Sequence, residues 1–347
     1  MSRGFRKGLT LATIAYFIFL MVLLFLIGWW GERNWLLSVL LFVPAIIWFV
    51  PFILLTPFHL VFRPKLCWIT VAALPVICFV YLDFCWAFPD QGKPGLTLLT
   101  NNVGGRKLQT LNPFLKSEDP DIIALQEGWR AADVLRKQYP ERFVSTQGEY
   151  VLASKIPIRK AGLLSQLAFR GRPIGARYEL EYKGRSIVIY NIHMPTPRLE
   201  FDKLRGRGLV RELFGGKGVY SSKAQKDYRE FVEMKIRLAR ELADLLQQER
   251  HPFLIAGDFN MPANGHIWEL FHAKFIDAFG AKGRGYGFTF PGASGGLLKL
   301  IGTWLRLDYL FAGKDWQPIL CRVEPRQAAE HCAVVARFQF KPRVHKP

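Results

Sequence analysis

Apolar residues follow two different patterns along the chain. The first 90 residues contain three long apolar runs, at about 9–30, 35–57 and 68–88, of which only the third includes a charge. Runs of this length match a helix that crosses the hydrocarbon core of a bilayer. After residue 95 the apolar residues come in short groups between polar ones, as in buried strands and amphipathic helices. The pattern predicts a membrane domain with three transmembrane helices at 1–90, a Gly/Pro linker at 91–95 and a folded domain at 96–347.

The first apolar run has a second interpretation, a cleaved signal peptide, but it is longer than the apolar core of such a peptide. Basic residues lie in the tail before the first run and in the loop after the second run: Arg3, Arg6 and Lys7, then Arg63 and Lys65. Because basic loops remain on the cytoplasmic side, three crossings place residues 91–347 outside the cytoplasm.

Short apolar groups predict the strands of the folded domain. These strands are Leu96–Asn102, Ile122–Gln126, Tyr150–Ala153, Arg177–Tyr182, Arg185–Asn191, Phe253–Ala256, Leu307–Ala312 and Ala333–Phe340. Between them, Tyr228–Gln248 has the apolar spacing of an amphipathic helix. Strands and helices mix without a regular alternation, so we predict an α/β fold of stacked sheets covered by helices.

Charge is also distributed unevenly. Residues 1–90 hold six of the 47 basic and three of the 28 acidic residues, so most of the formal net charge of +19 lies in 91–347. A domain this basic favours anionic partners such as phosphate esters, anionic lipid headgroups or nucleic acid, and charge alone selects none of them. Its two cysteines, Cys321 and Cys332, show no metal-binding spacing, and the sequence leaves a disulfide between them open.

Polar side chains follow several predicted strands at the point where each strand ends or begins. They are Asn102, Glu127, His193, Asp258 with Asn260, Asp308, and Glu330 with His331. Carboxylate, amide and imidazole groups at one sheet edge suit the binding of a cation and of phosphate oxygens. Each has a structural alternative: His193 as a buried core histidine, Asn102 as a turn residue in competition with Asn101, and Glu127 as an acid at a helix N-terminus.

Seven segments in this order resemble the endonuclease/exonuclease/phosphatase superfamily, whose fold is like that of pancreatic deoxyribonuclease. They are LTLLTNNV, PDIIALQEGW, VLASKIPI, IVIYNIHMP, FLIAGDFNMP, RLDYLF and AEHCAVVA, and they span most of 96–340. The resemblance implies a four-layer α/β sandwich, in which two stacked mixed sheets are flanked by helices. It also implies a hydrolase of phosphoric esters or anhydrides that depends on Mg²⁺, with Mn²⁺ as the alternative ion.

The same resemblance implies a set of metal-binding residues. Glu127 would hold the divalent cation, with Asn102 close by and Glu330 as the third member of the set. One departure concerns this set, because the chain reads Ala329-Glu330-His331 where the family commonly has Ser-Asp-His. Glutamate keeps the charge but reaches one methylene further, which changes the expected metal geometry.

The catalytic residues implied by the resemblance are His193, Asp258, Asn260, Asp308 and His331. Asp258 would orient or deprotonate the attacking water, and Asn260 would donate a hydrogen bond to a phosphoryl oxygen. His331, oriented by Asp308, and His193 would supply protons or stabilise charge on the phosphorus.

Two insertions bear on the substrate. Thr196–Arg229 mixes basic and apolar residues, which suits an anionic membrane surface, although a solvated loop has the same composition. Gly292–Trp304 is unusually apolar for a connection, and it either dips into lipid beside the site or forms a core hairpin.

Topology, anchor and site together predict a membrane-anchored, metal-dependent phosphohydrolase that acts on a lipid-linked phosphate or pyrophosphate outside the cytoplasm. Membrane-anchored bacterial members of the superfamily, including the teicoplanin-resistance type, look similar in layout. That similarity implies the bacterial inner membrane and undecaprenyl pyrophosphate as the substrate. The alternatives are a phospholipid or sphingolipid phosphodiesterase, a metal-dependent nuclease and a catalytically inactive binding module. We expect membrane lipids as partners, nucleic acid as the weaker alternative, and infer no protein partner.

Overall fold

Two six-stranded sheets form the body of the protein after residue 96. The structure is a computed structural model that describes residues 3–44, 46–90, 92–104, 108, 110–205, 218–292, 302–325 and 330–342. Its strands are β1 Cys85–Trp86, β2 Leu96–Asn102, β3 Ile122–Gln126, β4 Phe143–Gln147, β5 Tyr150–Ser154, β6 Ile158–Leu163, β7 Ala168–Phe169, β8 Arg172–Pro173, β9 Gly175–Tyr182, β10 Arg185–His193, β11 Phe253–Asp258, β12 Ile276–Asp277, β13 Arg284–Gly285, β14 Asp308–Ala312, β15 Trp316–Val323 and β16 Val334–Phe340. Its helices are α1 Arg3–Trp30, α2 Trp35–Leu40, α3 Ile46–Phe62, α4 Cys67–Pro75, α5 Asn112–Glu118, α6 Ala131–Gln138, α7 Arg198–Arg205, α8 Ser222–Gln247, α9 His266–His272 and α10 Ala278–Lys282.

Strand order explains how distant residues meet at one edge. The first sheet has the order β12-β14-β11-β10-β9-β6 and the second the order β15-β16-β2-β3-β5-β4. Near the centre of each sheet lies one parallel pair, β10 with β11 and β2 with β3, whose carboxyl ends lie at the same edge. β14 and β16 run antiparallel to their neighbours β11 and β2, so their amino ends reach that edge too.

The hydrophobic core lies between the sheets because side chains alternate along each strand. Leu98 of β2 and Ile122 of β3 pack there against Ile187 of β10 and Leu254 of β11. The neighbouring residue Leu99 points to the opposite face of its sheet. The mixed α/β fold with two stacked sheets between helices, as predicted from the sequence, is therefore confirmed.

Helices cover the outer faces of both sheets. The long helix α8 buries Tyr228 and Leu242 on the first sheet, in agreement with the predicted amphipathic pattern, although it begins six residues earlier than predicted. Helices α5 and α6 cover the second sheet through Leu115 and Leu135. The observed layers are helix, sheet, sheet and helix, with the polar strand ends left uncovered at one edge.

The first 90 residues form apolar helices with an exposed apolar surface. Leu20 of α1, Phe52 of α3 and Ile77 pack together, and Thr13 Oγ1 lies 2.7 Å from His59 Nε2 across α1 and α3. Large apolar side chains cover the outside of this bundle, with Leu11, Phe25, Leu54, Val61 and Trp68 more than 60% exposed. An apolar surface of this extent requires cover by lipid or protein.

The prediction of three transmembrane helices at about 9–30, 35–57 and 68–88 is not supported. Among the described residues, one helix, Arg3–Arg33, is long and apolar enough to cross a membrane, and Ile47–Phe62 and Pro64–Phe79 are shorter. The second run breaks at residues 41–44, where Pro44 lacks the amide hydrogen that a continuing helix needs. In the third run α4 ends at Pro75 and continues as a π-helix, Val76–Tyr81, before β1 begins.

Several contacts join the N-terminal helices to the folded domain. β1 pairs with β13, and Ser38 Oγ lies 2.8 Å from Tyr228 OH of α8. Glu32, just after α1, accepts a hydrogen bond of 3.3 Å from the amide of Ile267 in α9. The domain boundary predicted at residue 90 stays a prediction, and these contacts cross it. Cys321 and Cys332 are both buried, and no disulfide joins them in the described part of the chain.

Candidate active site

A pocket of about 320 Å³ opens at the polar edge of the two sheets. The pocket is lined by residues at the predicted strand ends and by residues of two segments that the sequence analysis did not connect with those strand ends. Its lining consists of Phe42, Asn102, Glu127, His193, Thr196, Pro197, Arg198, Phe201, Asp202, Asp258, Asn260, Phe290, Leu307, Glu330 and His331. All the predicted site residues therefore lie in this pocket or, in the case of Asp308, directly behind His331.

The carboxylate of Asp258 lies at the centre of the polar wall. Its Oδ2 accepts hydrogen bonds from Asn102 Nδ2 at 3.0 Å and from Asn260 Nδ2 at 3.2 Å. The same oxygen lies 3.7 Å from His193 Nε2 and 3.8 Å from His331 Nε2. One buried oxygen thus faces two amides and two imidazoles, which come from both sheets. In this arrangement the Asp258 carboxylate can accept a proton from a group that lies near either imidazole ring.

Each imidazole is held from behind by a second carboxylate. His193 Nδ1 donates to Glu149 Oε1 at 2.7 Å, and His331 Nδ1 donates to Asp308 Oδ2 at 2.9 Å. Burial lowers the pKa of His193, but the hydrogen bond to Glu149 and the charge of Asp258 outweigh it, so the pKa is raised. Burial likewise lowers the pKa of His331, but Asp308 and Asp258 outweigh it and raise the pKa to about 9. His331 is therefore suited to carry a positive charge at neutral pH, and the surroundings of His193 favour its charged form more than water does.

The backbone near the site adopts conformations that are uncommon for side-chain-bearing residues. Glu127 has φ 50° and Asn260 has φ 49°, both in the left-handed region. Gly257 has φ 154°, and a Cβ atom there would lie 1.9 Å from the carbonyl oxygen of Ile192. Close approach of β10 and β11 therefore requires glycine immediately before Asp258. Left-handed residues of this kind cluster at functional sites because the surrounding structure holds them in place.

The donor atoms of the site fit a hard divalent cation. Asp308 Oδ1 is buried and has no hydrogen-bond partner among the described residues. Ligand atoms of Asp258, Asp308 and His331 lie within 4.8 Å of one another, and Glu127 lines the same pocket. Carboxylate oxygens are the ligands that Mg²⁺ and Mn²⁺ prefer. Members of the superfamily that the sequence resembles depend on a divalent metal, and the residues present are compatible with that dependence.

The predicted metal-binding residues occupy different parts of the pocket. Asn102 Nδ2 lies 3.4 Å from Glu127 Oε1, whereas Asn102 Oδ1 accepts from the amide of Gly104, so Asn102 presents a donor to Glu127 in this structure. Glu330 lies at the pocket rim, with Oε1 3.8 Å from Arg198 Nη2. Their roles as metal ligands stay predictions; Glu330 is more exposed than Asp258, although both line the pocket.

Sequence reasoning missed three residues that contact the site or its loop. Glu149 lies in the turn immediately before the antiparallel strand β5, and an argument that looked for acids just before such strands would have selected it. Lys235 of α8 donates to the carbonyl of Asn260 at 2.6 Å. Phe42 reaches the pocket from the N-terminal region, and no local pattern indicates that contact.

Parts of both predicted insertions lie in the described structure. Thr196–Arg229 contributes α7 and the start of α8, and Thr196, Pro197, Arg198, Phe201 and Asp202 line the pocket. Residues 206–217 of that insertion, residues 293–301 of the second insertion and Ala329 lie outside the described residues.

Comparison with known proteins identifies relatives of the folded domain. A model of the Endonuclease/Exonuclease/phosphatase family matches residues 99–329. No curated protein sequence matches the chain significantly. Among solved structures, D. rerio TDP2 complexed with single strand DNA product is similar at 13% identity and a TM-score of 0.50, over 71% of this chain and 100% of that chain.

Two further structures are similar over comparable lengths. The Bacteroides thetaiotaomicron VPI-5482 mannosyl-6-phosphatase Bt3783 has 14% identity and a TM-score of 0.46, over 71% of this chain and 100% of that chain. The beta toxin from Staphylococcus aureus with bound magnesium ions has 14% identity and a TM-score of 0.46, over 70% of this chain and 99% of that chain. At such identities a structural similarity concerns the fold alone.

Proposed function

Since the chain belongs to the endonuclease/exonuclease/phosphatase family, whose members hydrolyse phosphoester bonds, we propose that it is a membrane-anchored phosphohydrolase of lipid-linked phosphate or pyrophosphate. The single observation that carries the proposal is the pocket itself. It combines the carboxylate, amide and imidazole groups around Asp258 with Phe42 of the apolar N-terminal region.

The polar wall supports hydrolysis by an activated water. Asp258 is the acceptor that would orient the water or take its proton, and Asn102 and Asn260 fix the carboxylate by donating to it. His193 and His331 would place positive charge or a proton beside the phosphoryl oxygens as negative charge develops. A bound divalent cation would also neutralise negative charge on the phosphate. Glu127 and Asp308 are the residues that would hold the cation.

The apolar N-terminal region supports a substrate in the membrane. Helix α1 is long enough to cross a bilayer, and basic residues precede its apolar core at Arg6 and Lys7. One crossing with a cytoplasmic amino end would place the pocket outside the cytoplasm. Undecaprenyl pyrophosphate in the bacterial inner membrane is the specific substrate that we propose, on the resemblance to membrane-anchored bacterial phosphatases.

A substrate panel tests this proposal. The full chain in detergent is assayed with Mg²⁺ on a prenyl diphosphate, a prenyl monophosphate, a phospholipid, sphingomyelin and a supercoiled plasmid, with EDTA and an Asp258→Asn variant as controls. We expect phosphate release from the prenyl phosphates, abolished by EDTA and by Asp258→Asn. Cleavage of the phosphodiester lipids in preference to the prenyl phosphates would assign the site to a phosphodiesterase. Plasmid nicking without lipid hydrolysis would instead identify a nuclease, and either result would overturn the proposal.

A further inference from the structure

The apolar side of the active-site pocket is formed jointly by the N-terminal region and the folded domain. Phe42, between α2 and α3, and Phe201 of α7 both line the pocket that contains Asp258. We propose that Phe42 and Phe201 form a subsite for the first carbons of the substrate's hydrocarbon chain, alkyl or prenyl. This inference rests on the proposed function, because it assumes a phosphorylated lipid in the pocket.

The two rings are held in a fixed arrangement. Their centroids are 5.0 Å apart with the planes at 74°, and Phe201 also stacks on Tyr228 of α8 at 5.4 Å. The backbone carbonyl of Phe42 accepts a hydrogen bond of 3.1 Å from Trp304 Nε1. Phe42 therefore is attached to the folded domain through its ring and its backbone, although it belongs to the apolar N-terminal region. An apolar side chain fixed in this way can act as a wall of a binding site.

The pocket has both polar and apolar lining. The carboxylates, amides and imidazoles around Asp258 suit a phosphate, whereas the contacting rings of Phe42 and Phe201 present apolar atoms beside them. A phosphate ester of a sugar or other polar alcohol gains nothing from such a wall. A hydrocarbon chain attached to the phosphate would lose contact with water there, which is favourable in proportion to the area covered.

The size of the pocket limits how much of the chain it can take. A volume of about 320 Å³ accommodates a phosphate or diphosphate head and a few carbons, and not an entire long-chain lipid. Leu36, Ile47 and Leu199, which are close to the two rings in sequence, are exposed apolar side chains outside the pocket lining. The remainder of the chain would therefore stay outside the pocket, in the membrane.

A chain-length series with variant enzymes tests the subsite. The wild-type full chain, Phe42→Ala and Phe42→Leu are assayed in mixed micelles on alkyl or prenyl phosphates of increasing length and on a short water-soluble phosphate. Phe169→Ala is the matched control, because Phe169 pairs with Phe231 at 5.9 Å in a similar edge-to-face contact outside the pocket lining. Thermal unfolding midpoints of all variants show whether each is folded.

We expect kcat/KM of the wild type to rise about threefold to fourfold per added methylene over the first few carbons. Phe42→Ala should reduce kcat/KM for long-chain substrates about 10-fold or more, and should reduce it for the short soluble phosphate by a clearly smaller factor. Phe42→Leu, which keeps an apolar wall, and Phe169→Ala should retain the chain-length preference.

Two outcomes distinguish failure of this inference from failure of the proposed function. An unchanged chain-length preference in folded Phe42→Ala, or an equal loss on long and short substrates, would overturn the subsite while lipid phosphate hydrolysis stands. If Phe42→Ala does not fold, the same comparison is made with Phe201→Ala, and an unchanged chain-length preference in that folded variant overturns the subsite. A wild-type enzyme that cleaves no lipid phosphate would overturn the proposed function, and the subsite with it.

Discussion

The ammonium group of Lys235 donates a hydrogen bond of 2.6 Å to the carbonyl oxygen of Asn260. Lys235 is buried in α8, and Asn260 has a left-handed backbone in the loop that follows Asp258. Burial lowers the pKa of Lys235 to about 8, although the charges of Glu32 and Asp258 oppose the shift. A buried lysine thus supports the loop that carries two catalytic candidates without lining the pocket itself.

We predict that Lys235→Met lowers kcat by about 10- to 100-fold, because a displacement of about 1 Å in a catalytic loop has an effect of that size. KM should change much less, since Lys235 is not among the pocket-lining residues. The matched control is Lys226→Met on the same helix, where the lysine is 76% exposed and faces Glu230. Equal activity of Lys235→Met and Lys226→Met would contradict a role for Lys235 in positioning the loop.

The contact between His331 and Asp308 predicts a measurable change in the pKa of His331 when Asp308 is replaced. In the metal-free protein, Asp308→Asn removes the carboxylate that raises the pKa of His331 to about 9, so the pKa should fall toward 6.5. NMR of the ring protons against pH, in EDTA, measures it. Stability gained from protonated His331 is complete below about pH 6.5 and lost as pH rises through about 9. An unchanged His331 titration in Asp308→Asn would show that Asp308 does not set it.

Glu249 predicts a loss of stability in acid. Its carboxylate accepts from Arg177 Nε and Tyr190 OH, both at 2.9 Å, and from the amides of Arg250 and His251. Burial raises its pKa, but these donors outweigh burial and lower the pKa to about 2. The stabilisation is therefore present above about pH 4.5 and lost as pH falls toward about 2.

We expect Glu249→Gln to lower the free energy of unfolding at pH 7 by at most about 3 kcal/mol. Its dependence on pH between about 4.5 and 2 should also be flatter than in the wild type. Chemical unfolding of the detergent-solubilised protein at several pH values measures both effects. Glu230→Gln, a change at an exposed glutamate, should leave the acid limb of the profile unchanged. Parallel profiles for wild type and Glu249→Gln would rule out this linkage.

Two glutamates of the pocket should differ in their effect on metal dependence. Glu127 lies beside Asn102, whereas Glu330 lies near Arg198 at the rim. We predict that Glu127→Ala raises the Mg²⁺ concentration needed for half-maximal activity at least 10-fold, and that Glu330→Ala raises it less than about threefold. Titration of activity with Mg²⁺ after EDTA treatment compares them. A larger shift for Glu330→Ala than for Glu127→Ala would contradict the assignment of Glu127 as the principal ligand.

The proposed membrane crossing by α1 predicts on which side of the membrane the active site lies. With a cytoplasmic amino end and α1 as the crossing helix, a tag at the carboxyl end should be accessible to protease in spheroplasts of expressing bacteria. A tag at the amino end should be protected until the membrane is permeabilised. Protection of the carboxyl-terminal tag would place the domain in the cytosol and remove extracytoplasmic lipids from the substrate candidates.

The central strands were predictable and several edge strands were not. β2 and β3 match the predicted bounds at both ends; both are buried throughout, and each begins with apolar residues and ends in amides, in the sequences LTLLTNN and IIALQ. β4 and β6 are sheet edges with partly exposed residues, so FVSTQ and IRKAGL give no continuous apolar run. Local pattern therefore identified the strands that carry the site better than those that close the sheets.

The site residues were predictable where strand direction alone brings them to one edge of the sheets. Asn102, Glu127, His193, Asp258 and His331 each stand at a strand end, and parallel pairing brings such ends together. Contacts that arise only from packing give no comparable signal in the sequence. Lys235 reads as one charge on an amphipathic helix, and Phe42 reads as one more apolar residue of a membrane run. Only the folded arrangement shows that each of them approaches the catalytic loop or its pocket.

Glu32 contacts α9 and Ser38 contacts α8, and these contacts affect which molecules can reach the active site. If α1 crosses the bilayer as proposed, a domain joined to it through such contacts, and not through a loose tether, would keep one orientation and one height above the membrane surface. The pocket would then meet molecules residing in the adjacent leaflet, which arrive by lateral diffusion.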